Sequence, residues 1–304
     1  MVMSDAVILG YHRVCATPPF DLLGRGLTVA ASRFQQQLEI LARRLSIVPL
    51  EDLVERLCAG GDAGGMAAVT FDDGYEDNYS CAFPILSSMG VPATIFLVTD
   101  NVEHGRPFWT ERLAARLCRS AGAVVNVPVE LGGRLDLTSA ERVRQSYEAL
   151  LAPLSGLDGE QRERMLDLLE ATDGTSGRPM TWEQVRRMHG QGVAIGAHTG
   201  SHPSLVRVSE GAARAEVDAS RDLIRARLGS APTTFAYPFG DVDERVSRIV
   251  GAAGFRAAVT AHCGWCGPGA HRLLLPRLMV GDWSAPEFER GLMISRLSAR
   301  LTPA

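Results

Sequence analysis

Ala67-Ala-Val-Thr-Phe-Asp-Asp-Gly-Tyr75 is the stretch whose reading decides the fold. An unbroken apolar and β-branched run ends abruptly in two adjacent carboxylates and a glycine. A run without polar alternation suits a strand covered on both faces. Similar runs recur outward in both directions, which predicts strands at 6–11, 46–49, 67–71, 93–98, 193–197, 233–237, 256–260 and 274–280. Amphipathic stretches between them predict helices at 31–44, 50–59, 82–89, 111–120, 139–152, 159–171, 181–190, 210–228, 243–253 and 285–300. Ser139 and the capping-box pattern Thr181-Trp-Glu-Gln184 mark helix starts. Gly190, Gly229 and Gly254 suit helix ends. Strands that alternate with helices imply an α/β fold with parallel pairing, closed as a barrel or open as a sheet. The stretch at about 100–180 shows no clear strand and reads as a helical insertion within one domain spanning 1–304.

Bulk properties narrow the function. With 304 residues and 46% hydrophobic content, the chain can bury a large core. A net charge of −4 argues against a nucleic-acid partner, which would call for a basic excess. No window approaches the roughly 18 apolar residues that span a bilayer. The first residues show no basic region, long apolar segment or cleavage site of a secretion signal, so a cytoplasmic protein is expected. The six cysteines read as free thiols. Cys263-Gly-Trp-Cys266 could be half a zinc site or a redox pair, but it has no second pair to complete it.

Three short segments could carry chemistry. Asp72 and Asp73 stand at a predicted strand end, where α/β folds place their sites. Adjacent carboxylates repel, and a divalent cation would relieve the repulsion and let them take different roles. An Asp-Asp-Gly turn with no function is the plainer alternative. Ile195-Gly-Ala-His198-Thr-Gly-Ser-His202 also follows an apolar run. On one helical turn, histidines four apart share a face and could reach one ion. Otherwise they are unrelated loop residues. Two imidazoles and one carboxylate would leave coordination positions open, as a catalytic metal needs. In Phe235-Ala-Tyr-Pro-Phe-Gly240, a backbone N–H after Pro238 could serve a developing oxyanion, although a Pro-Phe-Gly sequence is commonly only a turn.

Taken in order, Thr70-Phe-Asp-Asp-Gly74, His198-Thr-Gly-Ser-His202 and Tyr237-Pro-Phe-Gly240 resemble the first three motifs of the polysaccharide deacetylase (NodB-homology) family. Tyr11-His-Arg13, Gly90-Val-Pro-Ala-Thr-Ile-Phe96 and Thr181-Trp-Glu-Gln184 add context, so the resemblance runs from about residue 6 to about 280. It implies a distorted (β/α) barrel of about seven strands, fewer than the eight of the regular barrel. It also implies a divalent metal, usually zinc, and hydrolysis of N-acetyl groups from amino sugars. By the same resemblance Asp72 is the general base, and Asp73, His198 and His202 hold the metal. The Phe239 backbone, with Tyr237 and Pro238 around it, would bind the oxyanion or substrate.

Two departures bear on the chemistry. Many members place an arginine two residues before the motif proline, where this chain has Ala236; Arg277, in Leu275-Pro-Arg-Leu278, is the candidate replacement. A late Leu-x-His motif that supplies the general acid in many members is missing, which leaves His12, or else His271, for that role. Phe108 and Trp109 could form a sugar-stacking wall, with ordinary loop packing the favoured reading. Two alternatives to an amino-sugar deacetylase follow: a C–N hydrolase of small amides in the same fold, or an inactive carbohydrate-binding protein.

Overall fold

The 67–71 run does form a central strand, and its neighbours in space are the other apolar runs. A computed structural model describes residues 5–16, 23, 26–169 and 177–301. In chain order the strands are β1 (Val7–Tyr11), β2 (Arg13–Cys15), β3 (Thr28–Ala30), β4 (Ser46–Ile47), β5 (Met66–Phe71), β6 (Thr94–Leu97), β7 (Val124–Asn126), β8 (Arg134–Asp136), β9 (Ala194–Ala197), β10 (Thr234–Ala236), β11 (Ala257–Val259) and β12 (Leu278–Met279). The helices are α1 (Ala31–Arg44), α2 (Leu50–Cys58), α3 (Phe83–Met89), α4 (Thr99–His104), α5 (Trp109–Arg119), α6 (Ala140–Ser155), α7 (Gly159–Leu168), α8 (Trp182–His189), α9 (Glu210–Leu228), α10 (Glu244–Ala252) and α11 (Ala285–Leu301). The last two positions of the helix expected at 159–171 fall outside the described residues.

Seven parallel strands in the order β11-β10-β9-β6-β5-β1-β12 curl into a half-barrel, with β4 beside the start of β5. This is the distorted (β/α) barrel expected from the sequence. Period-two alternation sorts each strand into two faces. Val7, Leu9, Val69, Ile95, Ile195 and Phe235 pack with apolar faces of α1, α8, α9 and α10 in the main core. Ile8, Ala68, Phe96, Ala236 and Ala257 join a second cluster with Leu50, Leu53 and Leu57 of α2. The register that puts Ala68 on the second face also puts Thr70 and Asp72 there. Little room is left inside: a Cβ on Gly196 would lie 2.4 Å from the Phe96 ring. Such overlap is what confines that position to glycine.

Capping works as the sequence suggests. Gln184 N–H donates to Thr181 Oγ1 (3.3 Å) while Gln184 Oε1 accepts from Thr181 N–H (2.9 Å), a reciprocal box at the start of α8. Ser139 Oγ accepts from Arg142 N–H at the start of α6.

Two strand expectations need correction. The 274–280 run is not one strand: it divides between two partners. Leu275 pairs with β11, through Thr260 N–H to Leu275 O at 2.9 Å, and only Leu278 and Met279 pair with β1. The insertion is not purely helical: β7 and β8 form an antiparallel hairpin between α5 and α6. Each is only three residues long, too short for alternation to show. The insertion has its own apolar cluster, which includes Leu113, Leu117, Leu137, Val143, Leu150 and Leu166.

Candidate active site

The ends of β1, β5, β9 and β10 converge on one cavity of about 630 Å³. Its lining includes His12, Asp72, Asp73, His198, His202 and Phe239. Arg277 also lines it, and Tyr147 and Leu151 of α6 give it a wall from the insertion.

Asp72 and Asp73 follow β5 directly, in a tight turn. Asp72 N–H still bonds Tyr11 O (2.9 Å), which extends the β5–β1 pairing by one residue. Asp73 then takes φ 72°, a left-handed conformation uncommon for a residue with a Cβ. The chain reverses there, with Gly74 N–H bonding Asp72 O at 2.9 Å. Two neighbouring carboxylates are thereby sent to different partners.

Asp72 meets Arg277 in a fork, both N–H···O contacts at 2.7 Å. Arg277 is itself held by Thr260 O (2.8 Å) and Thr70 Oγ1 (3.1 Å). Both residues are buried, at 3% and 1% exposure. Burial pushes the Asp72 carboxyl up, but the Arg277 guanidinium reverses this and holds it below the usual carboxylate range. Asp72 is therefore an oriented anion at neutral pH. The arginine singled out from the sequence is thus the one that pairs with Asp72.

Asp73 turns instead toward the imidazoles. Its Oδ1 is 3.6 Å from His198 Nε2 and 3.5 Å from His202 Nε2. Ligand atoms of the three residues lie within 4.8 Å of one another, and they form the one cluster of this kind among the described residues. His198 Nδ1 lies 2.7 Å from Ala236 O. A carbonyl can only accept, so the proton sits on Nδ1 and the Nε2 lone pair faces the carboxylate. Burial lowers the pKa of both histidines, which favours neutral rings. The neutral His198 Nε2 lone pair aimed at a carboxylate oxygen repels it, and a shared cation removes that conflict. The donor set, one carboxylate and two neutral imidazoles opening on a cavity, fits a divalent metal with free positions.

The two histidines do not sit on a helical turn, contrary to expectation. His198 ends β9, and the chain then passes through Thr199 at φ 68° and His202 at φ 61°. Thr199 Oγ1 accepts from His202 N–H (3.0 Å) and closes the loop. The rings come together at 4.9 Å between centroids by this left-handed route, not by the i, i+4 spacing of a helix.

Other candidates divide. His12 lines the cavity, whereas His271 is exposed, accepts from Leu273 N–H (3.3 Å) and is not in its lining. Phe239, at φ 60°, lines the cavity and packs on the His202 ring at 4.7 Å. Tyr237 and Pro238 are buried behind it and do not line the cavity; the Tyr237 hydroxyl donates to Leu273 O at 2.9 Å. Of the three residues only Phe239 faces the cavity. Trp109 is buried too, and its indole N–H donates to His202 O at 3.1 Å, so it braces the histidine loop where a sugar wall was considered. Cys266 is buried and exchanges backbone hydrogen bonds with Ala6, while Cys263 is exposed. Sequence reasoning missed Ser201 within this loop, and Arg162 and Glu216, which bond to it.

Comparisons with known proteins bear on this arrangement. A family model described as polysaccharide deacetylase matches residues 59–258. Chitin deacetylase 1 of Cryptococcus neoformans var. grubii is 32% identical over 77 residues, 25% of this chain and 16% of that protein. The matched segments cover 16% of the length of each curated relative. Streptococcus pyogenes deacetylase PplD, solved in complex with acetate, is 20% identical with a TM-score of 0.66, covering 96% of this chain and 98% of that one. IcaB from Ammonifex degensii is 19% identical with a TM-score of 0.63, covering 96% and 97%. At these identities the likeness to the solved structures is one of fold.

Proposed function

This chain belongs to the polysaccharide deacetylase family, and from that premise we propose that it is a metal-dependent hydrolase that removes acetyl groups from the nitrogen of an N-acetylated amino sugar. The observation that carries the reading is the Asp72–Arg277 fork beside the Asp73, His198 and His202 cluster in one cavity. Zinc suits a set of imidazole and carboxylate donors. What a divalent cation supplies when bound there is Lewis acidity toward the acetyl carbonyl and a lower pKa for the attacking water.

The chain's own residues divide the remaining work. Asp72, ionised and fixed by Arg277, takes a proton from the attacking water. The left-handed Phe239 brings a backbone N–H to the developing oxyanion, with Tyr237 and Pro238 fixing the turn that carries it. His12 gives a proton to the departing amine. Together these steps break the amide C–N bond and release acetate and the free amine.

The direct test is acetate release from chito-oligosaccharides by metal-loaded protein, with and without a chelator. Turnover that stops on chelation is the expected result. Binding of the oligosaccharide without turnover would make the protein a carbohydrate-binding one. Turnover confined to simple amides would move the substrate class away from sugars.

Arg277→Met provides a second test. It leaves Asp72 free to rotate away from the attacking water, so kcat should fall by about tenfold or more with little change in KM. It also leaves a buried carboxylate without its cation, which should cost about 3–5 kcal/mol in urea unfolding. Asp72→Asn combined with Arg277→Met should recover most of that stability but no activity. An Arg277→Met protein with unchanged kcat would remove the arginine from the mechanism.

A further inference from the structure

The loop that carries His202 is gripped from three sides by residues outside the half-barrel strands. From α9, the Glu216 carboxylate accepts from Ser201 N–H (2.8 Å) and Ser201 Oγ–H (2.6 Å), and its carbonyl accepts from Gly200 N–H (3.2 Å). From α5, Trp109 donates to His202 O (3.1 Å). From α7, Arg162 donates to Ser201 O and, at 2.9 Å, to Ser201 Oγ. Its guanidinium also lies over the Trp109 ring, 5.1 Å from the centroid, and donates to Leu157 O (3.2 Å). Both α5 and α7 belong to the insertion, so the insertion reaches the backbone of the histidine loop directly.

Arg162 is an expensive residue to place there. It is 2% exposed, and its Nε has no hydrogen-bond partner among the described residues. Burial pushes its pKa down to about 10, with the Glu216 carboxylate opposing the shift, so it remains a cation at neutral pH. Burying a guanidinium with one N–H unmet is unfavourable unless the bonds it does make are needed. What those bonds hold is a segment with His202 at φ 61°, a conformation that persists only when its surroundings over-determine it.

We infer that Arg162 is a positioning residue for the metal centre: by fixing Ser201 and stacking on Trp109, it sets His202 so that Nε2 meets Asp73 and His198. The insertion then tunes metal affinity as well as forming part of the cavity wall. This rests on the proposed metal-dependent function. A residue two bonds removed from a ligand can act strongly, because outer partners typically change metal affinity by about 10–100-fold.

The experiment measures Zn²⁺ affinity of the full chain by competition with a chromophoric chelator. Arg162→Met is expected to bind Zn²⁺ at least about tenfold more weakly than wild type. Arg162→Lys, which can still donate to Ser201, should recover part of the loss. Trp109→Phe keeps the ring but removes the N–H to His202 O, and should also weaken binding; it carries the test should Arg162→Met not fold. Arg116→Met is the control. Arg116 bonds Leu169 O and Ser120 Oγ inside the insertion and does not touch the histidine loop. Arg116→Met should bind like wild type. Wild-type affinity in both Arg162→Met and Trp109→Phe would overturn the inference alone, as would equal losses in Arg162→Met and Arg116→Met. Absence of Zn²⁺ binding by wild type would overturn this inference and the metal-dependent function together.

Discussion

Asp72→Asn should retain its metal and lose activity by about 10²- to 10⁴-fold, the usual contribution of a positioned base. Asn has nearly the shape of Asp, and its carbonyl oxygen can still accept from Arg277. Arg277 also keeps Thr260 O and Thr70 Oγ1 as partners, so the fold should survive. Asp72 is not among the three residues whose donor atoms cluster, so metal content should be unchanged. What disappears is the basic oxygen. Elemental analysis and steady-state kinetics on the same preparation read both quantities. Full activity in the variant would show that Asp72 is not the base; loss of metal would show that it is a ligand.

The second large effect is expected at His202. His202→Ala should lose metal on dialysis, with affinity falling by more than the roughly 10–100-fold that changes to outer partners cost, and activity should fall with it. The position is left-handed, so replacing the ring also risks altering the backbone. His202→Asn deals with this, because asparagine tolerates that conformation comparatively well. Both variants should lose metal to a similar extent if the imidazole is the cause. Metal retained at wild-type stoichiometry by both would exclude His202 from the ligand set.

How much of this was legible in the sequence depended on whether partners were local. Asp72 and Asp73 follow an apolar run, and His198 and His202 follow another, so the strand pattern alone puts all four at strand ends. Arg277 stands 205 positions from Asp72 along the chain, and only the gap at Ala236 pointed to it. The parallel strands followed from runs long enough to read, and their curling into a distorted barrel was implied by the family resemblance. The hairpin of β7 and β8 did not, because strands of three residues give no periodic signal.

The left-handed path from His198 to His202 was hidden for a different reason. Its positive-φ residues are a threonine and a histidine, while Gly200 between them is not left-handed. The grip of Arg162, Trp109 and Glu216 was hidden because all three bind backbone atoms of the loop, and backbone groups carry no residue-type signature. Arg162 lies in Glu160-Gln-Arg-Glu-Arg164, which reads as a solvated helix face.

Crystals soaked in Zn²⁺ and measured for anomalous scattering at the zinc edge test the central claim most directly. The arrangement predicts one strong peak shared by Asp73 Oδ1, His198 Nε2 and His202 Nε2, with Asp72 beside it and still forked to Arg277. A peak elsewhere, or none among these three atoms at saturating Zn²⁺, would contradict it.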